Sequence, residues 1–443
     1  MSIFQEGIRG GRKPFRKEKG DPASILGKAK RLQKLLEGAG ARPGDPIFST
    51  ATTLLMFDRE EELGMVESYL AQVGAAKILD ERLFPIPEPL EGEGIPLGKL
   101  QSGAQFVYPK DDLSTGALML GATKSGKTTA VCYMVEQLIA AGNGVLIPDL
   151  RGDFRPLACS IKDALYVPSE VDRINPLCPP EGVSLKQWIP VITARLTLDL
   201  ELRTPAMTYL IRKTVKHAEE LDGQIPTLIS LFEFLKKQNP KRMTSEEGYL
   251  ERILGRMEAL ILQIGREVLN VEKGFPVVEE VEKGRLVVLD LRKKDKLVSD
   301  FLTTVRLYHL YYKRLVNQNP FGAPLSFVVL DEQRSLIRKQ AQDYGIPDID
   351  LLFSRSRALN IGFLVLEQIP SMVSPAVLSA CRLRIGFHSS PPEQRIVADI
   401  LGLNRDQAKE LVKLPAGVGI VRYGSDAYPD PFLIQVEQTE WMK

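Results

Sequence analysis

The stretch of this 443-residue chain whose residue types and spacing most directly imply chemistry is Gly121-Ala122-Thr123-Lys124-Ser125-Gly126-Lys127-Thr128. It satisfies G-x-x-x-x-G-K-[ST], follows the apolar run Ala117–Leu120, and opens a helical pattern through Ala130, Met134 and Leu138. Glycines let successive backbone N–H groups turn inward around phosphate oxygens, and the helix N-terminus adds the positive end of its dipole. Residues Gly121 through Thr129 are therefore expected to hold ATP. Lys127 would reach the β and γ phosphates, and Thr128 would place its hydroxyl on Mg²⁺. Lys124 adds a second cation within the loop.

A second constellation is Leu325-Ser-Phe-Val-Val-Leu330-Asp331-Glu332, an apolar run that ends in two adjacent carboxylates. Strand alternation sends neighbouring side chains to opposite faces, so the two acids are expected to have different tasks. Asp331 suits the Mg²⁺ shell and Glu332 suits general-base activation of water. A third apolar run, Gly362-Phe-Leu-Val-Leu-Glu367-Gln368, places a polar residue at a strand's carboxyl end, where α/β sheets bind ligands. Gln368 could hydrogen-bond the γ-phosphate or the attacking water there.

Something must hold these segments together. Ala117–Leu120, Gly144–Ile147, Ala164–Val167, Leu286–Leu289, Ser326–Leu330 and Gly362–Leu366 are short continuous apolar runs separated by helical patterns. Strands of that kind are buried on both faces, which predicts an α/β fold with a mostly parallel sheet. Between about 181 and 280 the strands stop and helical periodicity takes over, as in Leu250, Ile253, Leu254, Met257, Leu260, Ile261 and Ile264. Thr244 and Glu247 have capping-box spacing ahead of that helix. Val298, Leu302, Val305, Tyr308, Tyr312 and Leu315 mark another apolar helix face, whose tyrosines read as core. Upstream, a helix-like stretch over 60–75 leads into Phe84-Pro-Ile-Pro-Glu-Pro89, a linker that disfavours helix and central strand.

The organisation expected is a flexible basic arm (1–40), a small N-terminal module with linker (41–94), the first part of an α/β core (95–180), an all-helical insertion (181–280) and the second part of the core (281–443).

Composition narrows the partners. Lys and Arg number 58 against 56 Asp and Glu, a net charge of +2. Ten basic and three acidic residues fall within 1–34, so that segment carries +7 and the remainder −5. Polyanion contact is thus expected to be local, through the arm and selected loops, rather than over the whole surface. Candidates besides the arm are Arg334, Arg338 and Lys339 after the paired carboxylates, and Lys236, Lys237, Lys241 and Arg242 in the insertion. Four scattered cysteines and three histidines provide no zinc ligand set and no disulfide framework. The expected setting is a reducing cytoplasm, because the sequence shows neither a signal peptide nor an apolar stretch long enough to span a bilayer.

Taken together, these motifs resemble the HerA/FtsK superfamily of P-loop translocases, and within it the type IV secretion coupling proteins of the TraD kind. Ile95-Pro-Leu-Gly-Lys99 through Thr128 is similar to that family's approach to its phosphate loop. Asp149-Leu-Arg151-Gly152-Asp153 is similar to its Asp-x-Lys-Gly-Asp/Glu motif, with Arg151 for the usual lysine, and Arg173-Ile-Asn175-Pro176-Leu177 to the segment before its inserted all-α domain. The resemblance covers about residues 95–437. It implies a RecA-like P-loop core, Lys127 and Thr128 as phosphate and Mg²⁺ residues, Asp331 and Glu332 as the Walker B pair, and Gln368 as the sensor. It also implies that Arg357, with Arg355 as the alternative in the Arg-Ser-Arg repeat, completes a neighbouring subunit's site. The sequence departs from the family in lacking the coupling proteins' membrane anchor, and residues 1–94 do not read as the β-barrel module with which HerA proteins begin.

The activity implied is that of an ATP-hydrolysing DNA translocase, assembled as a homo-hexameric ring and serving conjugation, type IV secretion or a related process. A relaxase, nuclease or secretion-channel protein is the implied partner, and such a partner could recruit the chain to a membrane. Two alternatives stay open: a protein-secretion or assembly ATPase, and a nucleotide-dependent scaffold that recruits a nuclease or relaxase.

Overall fold

The computed structural model describes residues 22–38, 46–56, 59, 62–70, 83–90, 92–200, 202, 204–317, 319–333, 349–425 and 428–442. They fall into two compact units, Met1–Leu83 and Phe84–Lys443. The Pro-rich linker thus goes with the larger unit, and Phe84 lies in its core.

Within the smaller unit, helices cover Pro22–Gly38, Pro46–Met56 and residues 62–70. The expectation of a flexible arm over 1–40 is corrected here for its second half. Leu32 and Leu36 stand one helical turn apart and are buried with Ala51, Leu63 and Leu70, so this stretch does contribute to a small core. Arg31 pairs with Glu67 at 3.4 Å. Residues 1–21 lie outside the described residues.

The larger unit is built on an 11-stranded sheet. In chain order the strands are β1 (Gly94–Leu100), β2 (Gln105–Pro109), β3 (Ala117–Leu120), β4 (Gly144–Asp149), β5 (Leu165–Pro168), β6 (Leu286–Asp290), β7 (Ser326–Asp331), β8 (Ile361–Glu367), β9 (Leu383–Gly386), β10 (Val418–Tyr423) and β11 (Phe432–Val436). Their spatial order is β2-β1-β11-β10-β9-β3-β8-β7-β4-β6-β5. From β9 to β5 every pairing is parallel, whereas β10, β11, β1 and β2 extend the β9 edge by antiparallel pairings.

The alternation of side chains explains the apolar runs. Leu118 and Leu120 of β3, Val328 and Leu330 of β7, and Phe363 and Val365 of β8 enter one core layer. Ala117 and Met119, Phe327 and Val329, and Leu364 and Leu366 enter the other. Each side chain so buried contributes about 1.5–3 kcal/mol, and neither face has room for a charge. The second layer is closed by helix Lys127–Ala140 through Val131, Met134, Val135 and Leu138. The first is closed by helix Lys296–Val316 and by a run of helices between β5 and β6 that includes Leu185–Asp199, Thr204–Glu220, Leu228–Lys236 and Ser245–Ile264. Tyr308 is fully buried in that layer.

Asn175 ties the two ends of this helical run together. Its amide donates to the carbonyls of Pro226 and Glu272, both at 3.0 Å, and its oxygen accepts the N–H of Leu177 at 3.1 Å. The capping box expected at Thr244 does not form. Thr244 Oγ1 instead donates to Lys241 O at 2.7 Å, and Glu247 accepts the N–H of Met243 at 2.7 Å, so the acid reaches one residue further back than the motif requires.

Arg314 anchors helix Lys296–Val316 to the start of β7. Fully buried, it donates to the carbonyls of Pro320 (2.7 Å) and Pro324 (2.8 Å) and to Ser326 Oγ (2.9 Å), and it pairs with Glu282 at 2.8 Å. Removing one partner of such a buried network is costly because the remaining polar groups stay dry. Arg314→Leu is expected to destabilise the larger unit by on the order of 3 kcal/mol, measurable as a shift of the urea midpoint, with Arg314→Lys recovering only part of the loss.

Candidate nucleotide site

The parallel register brings the carboxyl ends of three strands level. Leu120 pairs with Glu367 across β3 and β8, and Leu366 pairs with Asp331 across β8 and β7. The chain leaves β3 directly into the phosphate-loop sequence, which therefore opens beside the ends of β8 and β7.

Two glycines make that loop possible. Gly121 adopts φ +151°, and a Cβ there would lie 2.9 Å from Phe387 Cβ and 3.0 Å from His388 O. Gly126, which caps helix Lys127–Ala140, adopts φ +110°, and its Cβ would lie 2.7 Å from Gly417 N. Both need a backbone that L side chains rarely adopt, at points where another backbone passes close by. The loop is held from outside as well: Ala122 N–H donates to His388 O at 2.7 Å, and Gly417 N–H to Ser125 O at 3.0 Å.

Lys127 is buried and folds back over the loop, its Nζ donating to Gly121 O at 2.6 Å and Ala122 O at 2.8 Å. Burial pulls its pKa down to about 8, partly opposed by Asp331 and Glu332. Thr128 and Thr129 are half-buried at the start of the helix, whereas Thr123 and Lys124 are exposed, Lys124 at φ +62°. Gln368 stands across the opening and accepts a hydrogen bond from Thr123 Oγ1 at 3.0 Å. The turn that presents it is set by Glu367, a buried carboxylate accepting the N–H groups of Gln368 (2.8 Å) and Ile369 (2.9 Å).

The expected separation of Asp331 and Glu332 onto opposite faces is corrected by the geometry. Glu332 leaves the strand at φ +55°, a left-handed conformation uncommon for glutamate, and its side chain reaches the same arginine as Asp331. One guanidinium then serves both acids. Arg151 donates to Asp331 Oδ2 at 2.8 Å and to Glu332 Oε1 at 3.1 Å, while its Nε lies 3.1 Å from Asp153. Asp149 fixes the loop that carries this arginine, its buried carboxylate accepting the N–H groups of Arg151 (3.2 Å), Gly152 (2.7 Å) and Phe154 (3.0 Å). Sequence reasoning missed the bridging role of Arg151 and the turn-setting role of Glu367. The only available signal was that both lie within or beside motifs already quoted.

Asp331 is itself nearly buried, and its Oδ1 has no hydrogen-bond partner among the described residues. Burial raises its pKa to about 6, against the pull of Arg151. An orphaned carboxylate oxygen on an acid that interacts electrostatically with Lys127 fits a divalent cation near the loop. Lys127, Thr128, Arg151 and Gln368 line one cavity of about 480 Å³, and Asp331 and Glu332 adjoin it through their bonds to Arg151.

Arg357 and Arg355 are not part of it. Both are exposed ahead of β8, and Arg357 lines a separate cavity of about 510 Å³ with Arg382, Arg384 and Arg422 at the amino ends of the parallel strands. Lys236, Lys237, Lys241 and Arg242 are exposed, and Arg334, Arg338 and Lys339 lie outside the described residues. Among the described residues no helix is long and apolar enough to cross a membrane.

Residues 95–310 match the sequence family described as the central domain of helicase HerA. The chain is 22 % identical over 349 residues to the DNA double-strand break repair helicase HerA of Sulfolobus acidocaldarius, covering 73 % of this chain and 66 % of that protein. It is 23 % identical over 382 residues to the HerA helicase of Sulfurisphaera tokodaii, covering 79 % and 73 %. The chain thus spans about two thirds of the length of these curated relatives. In fold it is similar to VirB4 of Thermoanaerobacter pseudethanolicus, with a TM-score of 0.61 at 16 % identity over 80 % of this chain and 100 % of that one. It is also similar to the plasmid coupling protein TrwB in complex with ADP and Mg²⁺, with a TM-score of 0.54 at 14 % identity over 81 % and 95 %.

Two outcomes test this geometry. Gly126→Ala should lower the melting temperature by the equivalent of about 1–3 kcal/mol, because both the backbone angle and the contact with Gly417 become strained. Arg151→Met removes the shared counter-ion, so its melting temperature should fall at low ionic strength and recover as added salt screens the two carboxylates.

Proposed function

We propose that this chain, a P-loop ATPase of the HerA/FtsK type, uses ATP hydrolysis to move DNA as one subunit of a homo-hexameric ring. The observation that carries the reading is a single cavity lined by Lys127, Thr128, Arg151 and Gln368, with Asp331 and Glu332 both bound to that arginine.

In this reading, the backbone N–H groups of residues 123–128 and the N-terminus of helix Lys127–Ala140 receive the β and γ phosphates. Lys127 exchanges its loop carbonyl partners for phosphate oxygens, a move that improves its electrostatics because two carbonyl dipoles are replaced by full negative charge. Thr128 and Asp331 would hold Mg²⁺, which when bound would neutralise charge on the phosphoryl oxygens. Asp331 would be available for that role once Arg151 releases it, and Asp153 would keep the guanidinium close by. Glu332 then orients the attacking water and accepts its proton, and Gln368, resting on Thr123, senses the γ-phosphate.

Arg357, or Arg355 in its place, is assigned to the neighbouring subunit's nucleotide, in keeping with its position away from the chain's own phosphate loop. A trans arginine of this kind contributes about 10³- to 10⁵-fold in rate, so isolated subunits should hydrolyse ATP poorly. DNA as the cargo is supported by what the HerA relatives are named for and by the exposed basic groups Lys236, Lys237, Lys241 and Arg242. Contact through such groups would be to backbone phosphates, independent of sequence and weakened by salt. A repair setting is supported by the name of the HerA relatives and a conjugative or secretion setting by the resemblance to coupling proteins; a cytoplasmic location and a nuclease, relaxase or channel partner belong to the same proposal.

Glu332→Gln is expected to bind ATP with wild-type affinity and to lose at least 10²-fold in turnover, while Lys127→Ala loses binding itself. Duplex DNA at low salt should raise the wild-type rate severalfold, together with formation of rings visible by native mass spectrometry. A rate indifferent to DNA across salt concentrations would sink the DNA-motor reading and favour a secretion or scaffold role.

A further inference from the structure

The nucleotide cavity has a second end that the phosphate chemistry leaves unused. Opposite the loop it is lined by Gln435 and Val436 at the end of β11 and by Gln438, Trp441 and Met442 beyond it. The segment after β11 is fastened to the phosphate-loop helix by side chains. Trp441 Nε1 donates to Glu136 Oε1 at 2.9 Å, and Tyr133 OH donates to Glu437 Oε2 at 3.1 Å, both Tyr133 and Glu136 belonging to helix Lys127–Ala140. Glu437 is further paired with Lys99 of β1 at 3.4 Å, and Thr439 is buried. Trp441 and Met442 remain half-buried, packed on the core layer beneath while contributing surface to the cavity.

An indole, a thioether and a valine offer a flat, polarisable apolar wall, and two glutamine amides beside it carry both donors and acceptors. A purine nucleoside presents the matching chemistry: an aromatic face to cover and ring-edge groups to hydrogen-bond. The wall is continuous with the phosphate loop in one cavity of about 480 Å³, within the range that encloses ligands of mononucleotide size. Because Trp441 and the loop are both carried by helix Lys127–Ala140, directly or through the Glu136 bond, their separation is set by a rigid element.

We propose that Gln435–Met442 is the base-binding wall of this ATPase, with Trp441 the main contact for the purine ring. The proposal rests on the assignment of the loop to phosphate, and its test separates the two. Inorganic tripolyphosphate carries the phosphate contacts and no base, so it reports on the loop alone.

The experiment compares the affinities of the full chain for ATP and for tripolyphosphate, both with Mg²⁺, by calorimetry and by tryptophan emission. Trp441 is the natural reporter, since the chain's other tryptophan, Trp188, is fully buried in the helical run with its Nε1 on Pro176 O at 3.0 Å. ATP should change the emission strongly and tripolyphosphate weakly. Trp441→Ala should raise the Kd for ATP about tenfold, the scale of one base–aromatic stacking contact, while the Kd for tripolyphosphate stays within twofold. Trp441→Phe keeps an aromatic face without the bond to Glu136 and should hold the ATP Kd within about threefold. Equal losses for ATP and tripolyphosphate in Trp441→Ala, or no loss for either, would overturn the base wall while leaving the phosphate loop assigned. Failure of tripolyphosphate to bind, with ATP affinity insensitive to Lys127→Ala, would remove the loop assignment and the wall with it.

Discussion

A strand covered on both faces can carry a charge only where it leaves the sheet, because neither layer offers water or a counter-ion along its length. That constraint organises the larger unit. Four neighbouring parallel strands each run through apolar residues and end in a carboxylate: Asp149 on β4, Asp290 on β6, Asp331 on β7 and Glu367 on β8. All four acids emerge along one edge of the sheet, the edge at which β3 delivers the phosphate loop.

Each acid is satisfied in its own way. Asp149 and Glu367 accept backbone N–H groups and so convert negative charge into the shape of a turn. Asp290 is held by Arg292, which keeps its carboxyl far below the usual range, with Tyr166 as a further donor. Asp331 is held instead by an arginine side chain, with one oxygen on Arg151 and the other accepting no hydrogen bond among the described residues. The difference separates acids that shape turns through backbone N–H groups from an acid held by a side chain that can move away. In the proposed motor, a displaceable arginine is what distinguishes a nucleotide-responsive strand end from a structural one.

The antiparallel strands do a different job. β10, β11, β1 and β2 broaden the sheet beyond β9, and the loop before β10 supplies Gly417, whose N–H holds the phosphate loop at Ser125. The segment after β11 returns to helix Lys127–Ala140 through Glu437 and Trp441. The phosphate loop is thereby clamped between its own strand and chain from nearly three hundred residues later.

The phosphate loop was legible because its chemistry is written in eight consecutive residues, and the parallel core because burial on both faces imposes continuous apolar runs. Neither depends on knowing what lies next to them. The strands from β9 to β11 were not read, since short segments with interspersed glycine and arginine, such as Val418-Gly-Ile-Val-Arg-Tyr423, carry no distinct pattern until paired. The capping motif at Thr244 misled for a related reason: spacing permits a hydrogen bond, and local backbone angles choose the partner. The same holds for Asp331 and Glu332, which adjacency assigned to opposite faces until a left-handed Glu332 folded them onto one guanidinium. By itself, then, the sequence determined the α/β class and the place of its contiguous motifs in the fold. The union of Arg151 with residues 180 positions away, and of Trp441 with the far end of the same cavity, was decided only by the tertiary structure. Contacts between distant segments depend on strand order and register, and no local spacing encodes those.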